Sequence, residues 1–185
     1  MLTSRKVLQA GETLGFDGRV VSVGEGQGYA DIAAKKGAHV NYQEDLIDEI
    51  WSDRPAMSEE PAFDLDVKYA GETVADKLAR IRKEMKDAGA NTHVMTTLDD
   101  ICWTLNIRGN DIDFFPMVLS YAIVTIDGVE LYIDERKLDD ALKAKLAADG
   151  VKLHPYNDIY EDVKKFTEDT VVMVDPGKLN YANFQ

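Results

Sequence analysis

The sequence predicts an α/β protein: a mixed β-sheet flanked by helices, preceded by a partial related unit. Three observations lead there. Helix-period and strand-like segments alternate along most of the chain, two apolar runs joined by Asp127-Gly128 read as a hairpin, and "TLGFDGRVV" and "VVMVDPGKL" share a strand, an Asp-containing turn and a basic residue. Crossover helices give parallel strand neighbours and a hairpin gives antiparallel ones, so the sheet is mixed.

Taken in order, "ETLGFDGRVVSV" carries strand residues around the turn-former Asp17-Gly18, "YADIAAKKG" is a short helix closed by Gly37, and "AHVNY" is a second strand. "DLIDEIWSDRP" places Leu46, Ile47 and Ile50 on one helix face and is halted by Pro55. Residues 56–66, punctuated by Pro61, lack a sustained period and read as a linker between a first unit, 1–55, and a second, 67–185. "TVADKLARIRKEMKDAG" gives the clearest helix, with Val74, Leu78, Ile81 and Met85 on one stripe, Thr73 to cap it and Gly89 to end it. "THVMTT" follows as a buried strand, "LDDICWTLN" as a helix and "PMVLSYAIVTIDGVELYIDE" as the hairpin. Then come a helix in "KLDDALKAKLAADG", an extended "VKLHPY", a short helix in "YEDVKKF" and a strand in "TVVMVDP". "GKLNYANFQ" opens a further helix without a terminating glycine, so the chain is expected to be a piece of a longer protein.

A chain of 185 residues buries roughly 70% of its unfolded surface, enough for a core without staples. Its formal charge of -13 repels phosphate backbones and anionic lipid, so nucleic-acid and membrane partners are not expected. Cys102 is the only cysteine, which excludes a disulfide framework and fits a reducing, cytoplasmic setting.

Four groups of residues invite a chemical reading. Gly24, Gly26 and Gly28, with Glu44 about 20 residues on, suggest a dinucleotide turn, but Tyr29 stands where the third glycine belongs, and a plain glycine-rich turn is simpler. Asp99, Asp100, Asp111 and Asp113 offer hard oxygen ligands, yet Asp99 and Asp100 sit where first-turn helix acids are expected. His39, His93 and His154 lack ligand spacing, and Cys102 lies among apolar neighbours. Arg108, next to Gly109, can meet a carboxylate from an exposed turn or pair internally with Asp111 or Asp113.

"LDDICWTLNIRGNDI…P…SYAIV", with "DLIDEIWSDRP" upstream and "VKLHPY" and "DPGKLNYANF" downstream, resembles the middle domain of three-domain aminopeptidase P, the Xaa-Pro aminopeptidase of the creatinase/prolidase family. The resemblance implies that residues 1–55 end a first creatinase N-terminal-like domain and that 67–185 form most of a second. It also implies a following catalytic pita-bread domain, in cis, whose carboxylates and histidine hold two divalent metal ions, usually manganese, to cut before proline. On this reading the present segment holds no catalytic or metal-binding residue and shapes the active-site entrance and assembly of a homodimeric, cytoplasmic parent acting on proline-containing peptides. Trp103, Arg108, Asp111 and Phe114 are the expected cleft rim. Phe115 before Pro116 departs from the Asn that relatives often carry. The rival readings are a free-standing peptide- or protein-binding module of the same fold and a small nucleotide-binding protein.

Overall fold

A computed structural model describes residues 7–185. Contacts divide the chain into two compact units, one made by residues up to Ala56 together with Asp175–Gln185, the other by Met57–Val174.

In the first unit, β1 (Thr13–Gly15) and β2 (His39–Asn41) pair in parallel across the helix α1 (Val23–Lys36), which is the expected strand, helix, strand. Ser22 caps α1 by accepting from Glu25 N, and Gly37, at φ 67°, ends it in the left-handed conformation that glycine adopts without strain. The strand around Asp17 is shorter than expected, because residues 16–22 turn instead. A short helix, α2 (Leu46–Ile50), follows β2. The C-terminal segment belongs to this unit: Tyr181 N donates to Val21 O and Ala182 N to Gly18 O, both at 2.8 Å, and α8 (Tyr181–Phe184) sets the Tyr181 ring among Phe16 and Tyr42.

The second unit is a five-stranded mixed sheet, β8-β7-β6-β4-β9, formed by β4 (Thr92–Met95), β6 (Ser120–Thr125), β7 (Val129–Ile133), β8 (Val151–His154) and β9 (Val172–Met173). The β6–β7 hairpin closes at Asp127-Gly128 and β4 runs antiparallel to β6, while β7–β8 and β4–β9 are parallel. One sheet face, with Val124, Leu131 and Ile133, is sealed by α4 (Val74–Asp87), α5 (Leu98–Leu105) and α6 (Asp140–Ala148), whose Leu78, Met85, Ile101, Leu105 and Leu146 are buried. Burial of side chains of this size contributes roughly 1.5–3 kcal/mol each. Tyr121 and Tyr132 face the other side, where the helical stretch 156–165, including α7 (Ile159–Asp162), meets them.

The compact units therefore cut across the boundaries expected from the sequence. Residues 57–66 are not a free linker: Ala62 is buried and its N–H donates to Lys137 O, and β3 (Phe63–Asp64) pairs with β5 (Ile107–Arg108). A further short helix, α3 (Val67–Ala70), is capped by Asp66. Two-residue ladders leave no periodicity to read. Residues 175–185 group with the first unit because Tyr181 finds its aromatic neighbours there.

Candidate functional site

The passage 98–121 is organised around the two ends of α5. At its start Asp99 and Asp100 lie in the first turn, where the helix dipole favours acids, and Thr97 Oγ1 donates to the Asp100 carboxylate. At its end Asn106 adopts φ 52° and returns its backbone N–H to Cys102 O. Two cations meet the same last turn: Arg108 Nη1 donates to Cys102 O and Ile107 O at 2.8 Å, and Lys77 Nζ donates to Trp103 O at 2.7 Å and Asn106 Oδ1 at 2.6 Å. Positive charge at the carbonyls of a helix's last turn is stabilising, so Arg108 and Lys77 neutralise the negative end of α5. The internal pair between Arg108 and Asp111 or Asp113 is not formed, because the guanidinium turns to these carbonyls instead.

Trp103 points outward, 39% exposed, with Lys77 Nζ 4.4 Å and the Arg80 guanidinium carbon 5.4 Å from its ring. Burial pushes the Lys77 ammonium below its usual range, with Arg108 and Arg80 adding to the shift and Glu72 opposing it.

Beyond β5 the chain makes a tight excursion. Gly109 is required by close approach: a Cβ there would lie 2.6 Å from Val118 Cγ2. Asp111 turns inward, and its Oδ2 accepts from Lys137 Nζ at 2.6 Å and from Leu119 N at 2.7 Å, with the two side chains 1% and 0% exposed. Asp111 Oδ1 is buried with no hydrogen-bond partner among the described residues. Above this anchor Phe115 N bonds Ile112 O, closing a turn in which Phe114 sits at φ 63° with its side chain fully exposed and Ile112 and Phe115 half in solvent. A non-glycine residue held there stores local strain.

Of the four residues expected at a rim, Trp103 and Phe114 reach solvent, while Arg108 and Asp111 are engaged inside the fold. The aspartates do not converge on a cation position, and among the described residues no group of three or more His, Cys, Asp or Glu is placed to hold a metal ion. Cys102 is fully buried and its thiol is pushed up by that burial. The glycines of α1 lie within the helix rather than in a turn. Its first-turn donors are taken, Val23 N by Leu179 O, Gly24 N by Pro176 O and Glu25 N by Ser22 Oγ, and the Tyr181 ring lies where a Gly26 Cβ would be. A pyrophosphate finds no donors there.

Sequence reasoning missed Lys77, Lys137 and the contact between His154 Nε2 and Glu130 Oε2, 2.5 Å apart, with His154 stacked on Tyr132. Lys77 carried a signal, since it falls on the apolar stripe of Val74, Leu78 and Ile81.

The fold and the packed 98–121 passage define a domain of creatinase/prolidase type. A family model described as the creatinase/prolidase N-terminal domain matches residues 53–185, most of the chain, and the chain belongs to that family. A Neurospora crassa protein named "Probable Xaa-Pro aminopeptidase P" is 40% identical over 157 residues, covering 83% of this chain and 23% of the relative. The Xaa-Pro aminopeptidase app-1 of Caenorhabditis elegans is 34% identical over 154 residues, covering 83% of this chain and 25% of the relative. The chain thus spans about a quarter of the length of the curated relatives it matches. The crystal structure of a Caenorhabditis elegans X-prolyl aminopeptidase, a cytosolic enzyme with a di-nuclear active site, superposes with a TM-score of 0.90 at 30% identity, over 97% of this chain and 30% of that one.

Proposed function

We propose that this chain is a non-catalytic part of a cytoplasmic, metal-dependent Xaa-Pro aminopeptidase that removes the residue preceding proline from peptide N-termini. The observation that carries the reading is the likeness, over nearly the whole chain, to one portion of an enzyme with a di-nuclear active site. In this reading the metal ions, expected to be manganese, and the nucleophile belong to a catalytic domain in the same polypeptide, and the parent assembles as a homodimer. Among the described residues no group of three or more His, Cys, Asp or Glu is placed to hold a metal ion, and this reading assigns them no step of the hydrolysis. Their work is geometric: Trp103 and Phe114 form apolar points of the cleft entrance, held from below by the Lys77–Asn106 and Asp111–Lys137 contacts.

The test is peptide hydrolysis by the full-length protein that carries this segment. Xaa-Pro peptides are expected to be cleaved with manganese and spared after chelation, and the 185-residue chain alone is expected to be inactive. Turnover by the chain alone, or none by the full-length protein, overturns the reading. For the rim, Trp103→Ala and Phe114→Gly are expected to raise KM with folding retained, whereas Arg108→Ala is expected to act chiefly on stability.

A further inference from the structure

The last segment of the chain is held on the first unit by few contacts. Residues 175–185 enter that unit only after the whole of the second has been traversed. Val23 N and Gly24 N, first-turn donors of α1 that no carbonyl of the helix can serve, donate to Leu179 O and Pro176 O at 2.9 and 3.2 Å. From the other side Tyr181 N and Ala182 N donate to Val21 O and Gly18 O, and a bridge joins Ser22 to Asn180. Leu179 and Tyr181 are the buried apolar anchors, and the Tyr181 ring fills the notch that Gly26 leaves in α1.

One group works against this hold. Asn183 N donates to Asn180 Oδ1 at 3.0 Å, but the Asn183 side-chain Oδ1 and Nδ2 are both buried, and neither has a partner among the described residues. A carboxamide offers two donors and an acceptor, and burying them unpaired strips their hydration without compensation. An apolar side chain of similar size would fill the same place without that penalty. Buried polar groups left unpaired are rare, and each asks for a physical account.

The opposing terms leave the segment near balance. Each backbone hydrogen bond contributes little net, because water offers a substitute, and ordering an irregular segment loses entropy at every residue. Two buried apolar side chains must offset that loss and the Asn183 amide together. The rest of the unit does not share the dependence. The apolar cluster of Leu8, Ala33 and Ala38, packed by Leu14, Ile32 and Val40, draws no member from 175–185, and α1 keeps its own Ser22 cap and Gly37 end. We propose that residues 175–185 form a strap that unlatches from the first unit while that unit stays folded, with Tyr181 as its lock and Asn183 as the weak point that keeps it exchangeable. Unlatching opens the Gly26 notch and frees Phe16 and Tyr42, whose rings pack on Tyr181 in the latched form.

Amide hydrogen exchange in the 185-residue chain, followed residue by residue by NMR, tests this. The N–H groups of Val23 and Gly24 donate to the strap and those of Tyr181 and Ala182 donate from it, so these four report latching. Ala33, buried in the interior of α1, reports the unit itself. With intrinsic rates divided out, the four are expected to exchange at one common rate, about tenfold or more faster than Ala33, as local opening below the global limit requires. Asn183→Leu is expected to slow the four about tenfold, the effect of removing one unpaired buried amide, and Tyr181→Ala to speed them by about as much or more, both leaving Ala33 unchanged. Four rates equal to that of Ala33 in the unsubstituted chain overturn the inference, and that comparison depends on no variant folding. An Asn183→Leu chain in which the four are unchanged or faster, or in which Ala33 slows equally, overturns it as well.

Discussion

Replacing Lys137 by methionine keeps most of the volume of the stem and deletes one ammonium from the interior. That ammonium lies 2.6 Å from Asp111 Oδ2, and both side chains are sealed from solvent. Without it Asp111 retains one donor, Leu119 N at 2.7 Å, while its Oδ1 already has no partner among the described residues. Breaking a buried pair from one side costs about 3–5 kcal/mol, because the surviving charge is left uncompensated. The remaining N–H places Lys137→Met near the lower end, at about 3 kcal/mol. The double variant Lys137→Met/Asp111→Leu removes both charges and orphans only Leu119 N, so it is expected to lose about 1–2 kcal/mol, less than the single variant. Urea unfolding followed by Trp103 fluorescence, with Trp51 replaced by Phe to silence the other unit, reads this directly. At about 2 kcal/mol per molar the single variant moves the midpoint down by about 1.5 M and the double variant by roughly half as much. A single variant within about 0.5 kcal/mol of the parent, or a double variant at the sum of the two singles, would refute the claim that this pair anchors the turn.

Four further outcomes are expected. Gly26→Ala brings a Cβ to 2.2 Å from the Tyr181 ring and is expected to lose about 1–3 kcal/mol despite the better helix propensity of alanine, whereas Gly24→Ala, with only Pro176 O at 3.9 Å, is expected to be neutral or to gain up to about 1 kcal/mol; thermal or urea unfolding separates them. Phe114→Gly relieves the left-handed strain at φ 63° and is expected to leave stability unchanged or raise it by about 1 kcal/mol in the same assay. Asp134, held at about 2 by its bonds to Arg136 against an unfolded value of about 3.9, contributes stability that is complete above the unfolded value and lost as pH falls through the folded one. The deficit of Asp134→Asn, at most about 1 kcal/mol at this solvent-screened site, should therefore shrink from pH 4 downward in acid unfolding curves. Lys77 behaves in the opposite sense: its folded value is lowered, so the folded state holds the proton less tightly than the open chain, and stability should rise with pH from the folded value toward about 10.4, a slope that Lys77→Met abolishes.

Much of the architecture was legible because its signals are local. The caps of α4 by Thr73, of α1 by Gly37 and of the β6–β7 hairpin by Asp127-Gly128 act within a few residues, and each stands where the pattern put it. The mixed sheet follows from those pieces, as does the inert burial of Cys102. What escaped was nonlocal. Ala62 reaching Lys137 O and Phe63 pairing with Arg108 turn an irregular stretch into part of the second unit, and neither contact leaves a period in the sequence. Buried lysines are the harder case. Lysine is read as surface by default, so Asp111 looked free to meet a peptide when its partner stood 26 residues away, and Arg108 looked exposed when two carbonyls awaited it.

The inward turn of those charges bears on how such a segment can act. In and around 98–121 the polar groups serve the fold: Asp99 and Asp100 lie in the first turn of α5, with Asp100 accepting from Thr97 Oγ1, while Lys77, Asn106 and Arg108 hold backbone carbonyls near its other end and Asp111 accepts from Leu119 N beneath the turn. The large side chains left in solvent are Trp103, Ile112, Phe114 and Phe115, in a protein whose net charge is -13. Apolar points on a rigid scaffold recognise by shape and by displaced water rather than by charge, and they act best when preorganised. If Trp103 and Phe114 serve the proposed entrance, their substitution should shift KM with little dependence on salt between 50 mM and 500 mM, because no exposed ion pair is involved. A strong salt dependence carried by Trp103→Ala would instead make the exposed Arg80, which flanks the indole, the group that meets the peptide.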